Sequence, residues 1–252
     1  MKKKFTLIFV AGGSSTRMGT GSSKVLMQLC GQTVLERSLH VFLNSDYISG
    51  AVIVCREEDK IEIEDITFRK MNTDIPIKII SGGKTRQKSV INGVRAADPL
   101  TDFFVIHDGA RPLISKETVE RVCEDAIING ASAAAVKAKD TYKIIDNEGY
   151  VVNTPERESL MMVQTPQVFK KDSYLKAVTY AEKRGMDFTD DCQLIEYSGG
   201  KVHLIEGDYC NIKITTPEDI RIAQTFLGKE EKNLRIGYGY DVHRLVQGRK
   251  LI

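Results

Sequence analysis

The chain lacks the marks of a stapled, metal-built or membrane-embedded protein. Its five cysteines (Cys30, Cys55, Cys123, Cys192 and Cys210) are scattered, odd in number and never spaced C-x-x-C. That argues against a disulfide framework or a zinc ribbon, and a reducing cytoplasm is expected. The formal net charge is only +2, so no global field recruits nucleic acid or a membrane. Any anion site has to be local. No apolar run approaches transmembrane length. Neither G-x-x-x-x-G-K-[ST] nor G-x-G-x-x-G occurs, which sets aside the P-loop and the dinucleotide fingerprint. There is no nucleophile elbow and no triad.

What is present reads as one α/β core. The chain has 252 residues, 42 % apolar and 28 % charged, ordinary values for a globular protein. Lys2 to Lys4 followed by Phe5–Val10 resembles the start of a secretion signal. The apolar run is short and Gly12, Gly13 and Arg17 follow at once, so a buried first strand is the better reading. Candidate strands are Phe5–Ala11, Ala51–Cys55, Ile77–Ile80, Phe103–His107, Ala133–Val136 and Val202–Ile205. Several are uninterrupted Val and Ile runs, as expected when both sheet faces are covered. Helical patterns lie between them at Thr85–Ala97 and Asp172–Arg184, the latter stopping at Gly185. Thr216-Pro217-Glu218-Asp219 is a strong helix start. The alternation predicts a doubly wound, mostly parallel sheet.

Two regions break this rhythm. Within residues 140–169, Tyr142–Ile145, Asp146–Gly149 and Tyr150–Val152 read as a hairpin with a polar turn. Such an arm either packs on a second subunit or forms a surface flap. The second break is the polar stretch 228–233, read as a linker between a domain at 1–227 and a new apolar segment at 234–252.

Strand one runs into Ala11-Gly12-Gly13-Ser-Ser-Thr-Arg17-Met-Gly19, with Lys24 beyond. A loop after a parallel strand sits at the carboxyl edge of the sheet, where such folds bind ligands. Glycines let backbone N–H groups approach phosphate oxygens, and Arg17 and Lys24 add two positive charges. The alternative is a plain strand-to-helix turn. His107-Asp108-Gly-Ala-Arg111-Pro112 closes another strand. Asp108 there can bind sugar hydroxyls or help hold Mg²⁺, and Arg111 can orient Asp108 or meet substrate. Alternatively the two form a structural ion pair, and His107 reads as a packed residue.

The ordered set of motifs resembles the 2-C-methyl-D-erythritol 4-phosphate cytidylyltransferase family over about residues 5–227. It comprises the Ala11–Lys24 loop, Ser81-Gly-Gly-x-x-Arg86-x-x-Ser89, His107–Pro112, Asp140-Thr141, Arg157, Gln164-Thr-Pro-Gln167, Thr189-Asp190 and Asn211-Ile-Lys213-Ile-Thr215. The resemblance implies a Rossmann-like nucleotidyltransferase fold with an inserted β-arm. It also implies attack by a substrate phosphate on the α-phosphorus of CTP, with Mg²⁺ bound mainly through the phosphates. Arg17, Lys24 and Lys213 would then stabilise the transferring phosphorus. Ala11, Gly12, Gly13, Gly82, Gly83, Ser89 and Asp108 would hold the nucleotide. Asp108, Arg111, Thr141, Arg157, Thr165 and Thr189 would hold methylerythritol phosphate, Arg157 reaching the site of a partner in a homodimer formed through the arm. Two bland readings remain open: Lys213 as a solvated strand-end lysine, and Gly82–Ser89 as an ordinary helix start.

There are departures from the family pattern. The segment after Arg157 usually carries tryptophan, and this chain has none. Met161 and Met162 stand there, and methionine fills irregular apolar slots, so local repacking is expected. Val25-Leu26 also replaces the usual Gln after Lys24. Residues 234–252 resemble the opening strand of 2-C-methyl-D-erythritol 2,4-cyclodiphosphate synthase, with Asp241 and His243 matching two of its metal ligands. Without a further ligand and a core, neither a stable metal site nor cyclase activity is expected of this segment. The rival readings are a ribitol-5-phosphate cytidylyltransferase and a silent nucleotide-binding module. The cyclase-like tail favours the isoprenoid reading over the first. The set Arg17, Lys24 and Lys213 argues against the second.

Overall fold

The computed structural model describes residues 3–13 and 23–231. In chain order, β1 is Phe5–Val10, β2 Gln28–Leu29, β3 Gln32–Thr33, α1 Val34–Leu43, β4 Ile48–Cys55 and α2 Lys60–Lys70. There follow β5 Ile77–Ser81, α3 Arg86–Ala96, β6 Phe103–Asp108, α4 Lys116–Asn129 and β7 Ala131–Lys137. The chain continues through β8 Ile144–Ile145, β9 Val151–Asn153, β10 Met161–Lys170, α5 Lys171–Arg184, α6 Asp191–Tyr197, β11 His203–Glu206 and α7 Pro217–Glu231.

The central sheet has seven strands in the order β11-β7-β10-β6-β1-β4-β5. Only β10 runs against its neighbours, antiparallel to both β6 and β7. The remaining pairings are parallel. Alternate side chains of β1 enter opposite layers, as the period of two requires. Phe5, Leu7 and Phe9 pack with α1, α2 and α4. Ile8 packs with α3, α5 and α6. The expected strands and helices are present with ends shifted by one to three residues. The chain order reverses at β1, which lies between β4 and β6. Such a switch point opens a crevice at the carboxyl ends of the strands. Val10 and Asp108 are register partners there.

Local chemistry explains the helix ends. Thr33 and Glu36 form a reciprocal capping box at α1, each side chain accepting the other's backbone N–H. At α7, Asp219 accepts from the N–H groups of Thr215 and Thr216. The αL glycines Gly130 and Gly185 end α4 and α5.

Two expected boundaries change. The arm is shorter than 140–169, because Met161–Lys170 is β10, wedged into the central sheet. Its Val168 and Phe169 belong to the core, while the hairpin itself is β8–β9. The stretch 228–233 does not begin as a linker, since α7 continues to Glu231. The segment 234–252 lies outside the described residues.

Gly93 marks where α3 presses on the sheet. An added Cβ would lie 2.6 Å from Ile8 Cγ2 and 2.9 Å from Val54 Cγ2. Gly93→Val is therefore expected to overpack this layer and cost about 1–3 kcal/mol. Urea unfolding checks this, and an unchanged midpoint would mean the helix backs away without penalty.

Candidate active site

Asp108 ends β6 at the carboxyl edge of the sheet, and it is buried. A lone buried carboxylate is costly, so it must be paired. Arg86 Nε donates to its Oδ1 at 3.1 Å. Lys213 Nζ donates to its Oδ2 at 2.8 Å. Arg111 Nε stands 3.9 Å away. Burial alone would raise the Asp108 carboxyl, but Arg86, Lys213 and Arg111 overcome it and hold it well below the usual carboxylate range.

Each partner is itself fixed. Arg86 is the first residue of α3, and its Nη1 donates to Asp191 at 2.6 Å. Arg111 Nη1 donates to the carbonyl of Asn211 at 2.7 Å. Lys213 sits in a stretch without regular secondary structure. Ile214 beside it is fully buried, and its N–H bonds to the carbonyl of Ala110. The Asn211 amide bonds to Thr165 O and Gln164 Oε1. Lys213 is thus aimed by its neighbours and is not a solvated strand-end lysine.

Two cavities meet at this cluster. The first, about 340 Å³, is lined among others by Ala11, Gly12, Gly13, Lys24, Gly83 and Ser89. The second, about 300 Å³, is lined among others by Arg111, Gln164, Thr165, Gln167, Thr189 and Asp190. Arg86, Asp108 and Lys213 line both. The Lys24 side chain runs beside Gly13, where an added Cβ would lie 3.7 Å from its Cε. Arg17 lies outside the described residues, as do Asp241 and His243.

Several predicted residues have different local roles. The Ser89 hydroxyl accepts from Gly83 N–H at 3.0 Å and donates to Thr85 O at 2.9 Å. The Gly82 N–H bonds to Cys55 O. These groups hold the turn's shape, and Gly82 backs the first cavity without lining it. The Asp108–Arg111 pair is looser than expected, and the close partners are Arg86 and Lys213. Thr189 stands beside the helix cap Asp190, which accepts from Gln193 N–H and starts α6. Thr165 is buried; its hydroxyl accepts from Asp108 N–H at 3.2 Å and lies 2.9 Å from His107 Nδ1. Thr141 and Arg157 are exposed and line neither cavity of this chain. Arg157 has Glu158 at 3.9 Å. The substituted Met162 receives the Tyr142 hydroxyl at 3.4 Å on the exposed part of β10.

Arg86 stands in one of the motifs but receives no role from it, and Asp191 lies outside every motif. A signal exists for Arg86. A cation on the first turn of a helix opposes the positive end of its dipole, so it needs acids across space. Asp191 carries no comparable signal, since acids at a helix start are ordinary.

Among the described residues no group of three or more His, Cys, Asp or Glu could hold a metal ion. Among the described residues Asp108 is the sole carboxylate lining the first cavity. That fits Mg²⁺, which binds through one or two carboxylates together with substrate phosphates.

Residues 5–229 match the model of the IspD family, 2-C-methyl-D-erythritol 4-phosphate cytidylyltransferase. The chain belongs to this family. A relative of that name from Caldanaerobacter subterraneus subsp. tengcongensis is 40% identical over 222 residues, 88% of this chain and 98% of that protein. A bifunctional enzyme IspD/IspF from Desulforudis audaxviator is 42% identical over 247 residues, 97% of this chain but 61% of that protein. A crystal structure of 4-diphosphocytidyl-2C-methyl-D-erythritol synthase from Anaerococcus prevotii superposes with TM-score 0.78 at 35% identity, covering 90% of this chain and 100% of that one.

His107 supplies a pH test of the buried site. It is fully buried between Phe9 and Phe42, and burial pushes its imidazole down to about 3. Unfolded, it takes a proton below about pH 6.5. Between these values the unfolded chain binds the extra proton, so this residue's contribution falls as pH drops, by up to about 1.4 kcal/mol per unit. Asp108 is silent in that window, because its contribution is complete above the unfolded carboxylate value of about 3.9 and is lost only below it. Urea midpoints between about pH 6.5 and 4.5 are expected to slope less steeply in His107→Gln than in the wild type. Equal slopes would remove His107 from the effect.

Proposed function

We propose that this chain transfers a cytidylyl group from CTP to 2-C-methyl-D-erythritol 4-phosphate. The products are 4-diphosphocytidyl-2-C-methyl-D-erythritol and pyrophosphate. The observation that carries the reading is the pair of cavities meeting at Arg86, Asp108 and Lys213. A two-substrate transfer needs adjoining sites with cations at the seam.

The glycine-edged cavity suits the triphosphate, with Gly12, Gly13 and Lys24 along it. The other cavity suits the acceptor, with Arg111 and Thr189 on its wall. A phosphate oxygen of the acceptor attacks the α-phosphorus. The bond from that phosphorus to the bridging oxygen breaks, and pyrophosphate leaves with the electron pair. Little covalent work falls to the protein, which aligns two polyanions and neutralises spreading charge. Lys213, at the seam, and Lys24, on the nucleotide side, carry that role, with Arg17 proposed to join them. Asp108 would hold Mg²⁺ together with the nucleotide phosphates, and that ion adds further charge neutralisation when bound.

The acceptor clamp is proposed to be shared between subunits. Arg157 and Thr141 stand on the arm, away from this chain's cavities. The arm also exposes Ile144, Ile145, Tyr150, Val151 and Val152. A row of exposed apolar side chains supports docking on a second copy. We place the enzyme in the cytoplasm, on the odd number and scattered spacing of its cysteines. Among the described residues no helix is long and apolar enough to cross a membrane. Residues 234–252 are proposed to open a cyclodiphosphate-synthase-like unit, as in the bifunctional relative.

Pyrophosphate release with Mg²⁺, CTP and methylerythritol phosphate tests the reaction. Release with ribitol 5-phosphate alone would overturn the acceptor assignment. Lys24→Ala and Lys213→Ala are expected to lower kcat about a hundredfold or more, and Lys213→Ala also to lower the thermal midpoint, because it strips a close partner from buried Asp108. Near-normal turnover in either would strike that lysine from the mechanism. Mixed dimers of Arg157→Ala and Lys24→Ala subunits are expected to regain activity absent from either parent. Demonstrably mixed dimers that stay inactive would count against a shared site.

A further inference from the structure

The pairing of Asp108 continues away from the cavities into the core. Tyr174 on α5 is fully buried, its ring packed against Phe104 and Phe169. Its hydroxyl donates to Asp191 Oδ1 at 2.5 Å. Asp191, also buried, takes Arg86 Nη1 on its other oxygen at 2.6 Å. Arg86 Nε then holds Asp108 Oδ1 at 3.1 Å, and Asp108 Oδ2 holds Lys213 at 2.8 Å. The line Tyr174–Asp191–Arg86–Asp108–Lys213 is unbroken from core to seam.

Packing alone does not require this line. A phenylalanine would fill the place of Tyr174, and buried ion pairs are weak stabilisers compared with apolar groups of the same shape. The arrangement instead constrains Arg86. Arg86 lines both cavities, so a guanidinium released from Asp191 would be free to meet an incoming phosphate chain. Asp191 holds one nitrogen from behind, and the tyrosine hydroxyl holds Asp191. Arg86 is therefore held between two carboxylates, whereas among the described residues Lys213 pairs with Asp108 alone and is the seam cation better able to follow the transferring phosphate.

We propose that Tyr174 and Asp191 are positioning residues for cytidylyl transfer, holding Arg86 against Asp108 so that Lys213 is presented where the two cavities meet. This rests on the transfer reaction proposed above. Uniform binding of the triphosphate by a released Arg86 would lower KM without helping kcat. Loss of the line should therefore appear in kcat, with KM for CTP unchanged or lower.

The test uses the full chain with Mg²⁺, CTP and methylerythritol phosphate. Turnover is expressed per CTP-binding site from equilibrium titration, so a misfolded fraction does not count. Tyr174→Phe is expected to lower kcat about tenfold, the scale of one buried hydrogen bond to a charge. Asp191→Asn is expected to lower it further, again without a rise in KM for CTP. In an Arg86→Lys background, Tyr174→Phe is expected to add less than about a twofold loss, because the group it acts through is gone. Unchanged kcat per site in both Tyr174→Phe and Asp191→Asn overturns the proposal. So does an equal proportionate loss from Tyr174→Phe with and without Arg86. If Tyr174→Phe is not recovered folded, Asp191→Asn in the same two backgrounds decides by the same criteria. The two readings fail separately. A wild-type chain that releases no pyrophosphate overturns the transfer reaction and this proposal with it, whereas wild-type release with unchanged variant turnover overturns the positioning role alone.

Discussion

The buried carboxylate of Asp108 and its compensation by Arg86 and Lys213 are the constraint on which the site depends. A carboxylate removed from water at a strand end persists only if cations reach it from other elements. Arg86 comes from the start of α3, and Lys213 from the stretch before α7. Meeting that requirement brings together segments more than a hundred residues apart. It also places positive charge where the sheet opens to solvent.

The electrostatics of the site follow from that convergence. A chain with formal net charge +2 has no general attraction for polyanions. Around the two cavities, however, five cations among the described residues (Lys24, Lys84, Arg86, Arg111 and Lys213) face three carboxylates (Asp108, Asp190 and Asp191). The small positive excess sits between low-dielectric walls, where it acts more strongly than on the surface. One cavity on each side of the excess is what a reaction between two phosphate-bearing substrates needs, and membership in the cytidylyltransferase family agrees with it.

Fold class was legible because both faces of the parallel strands are covered. β6 is buried at every position, and its first four residues, Phe103–Ile106, form a continuous apolar run. The strand β10 was hidden for a related reason. Its first residues, Met161–Val163, are exposed and continue the arm, and only Gln164–Phe169 are buried. Helix α1 carries a capping box in Thr33-Val-Leu-Glu36, a signal present in the sequence that the pattern of apolar runs does not bring out. In the site, the glycine loop, Lys24, Asp108 and Lys213 could be picked out by their places in motifs. Arg86 stood in a quoted motif, yet its role needs Asp191, which is more than a hundred residues away.

The sequence by itself determined that a glycine-edged loop, with Lys24 beyond it, follows the first parallel strand at the carboxyl edge of the sheet. Residue spacing and strand-to-loop order are local properties, and they suffice for that. Only the tertiary structure decided which cation neutralises Asp108, that Ser89 and Thr165 hold backbone in place, and that Thr141 and Arg157 stand apart from this chain's cavities. Those outcomes depend on ion pairs and hydrogen bonds across the sheet edge. Their strength is set by burial and separation in space, which spacing along the chain does not encode.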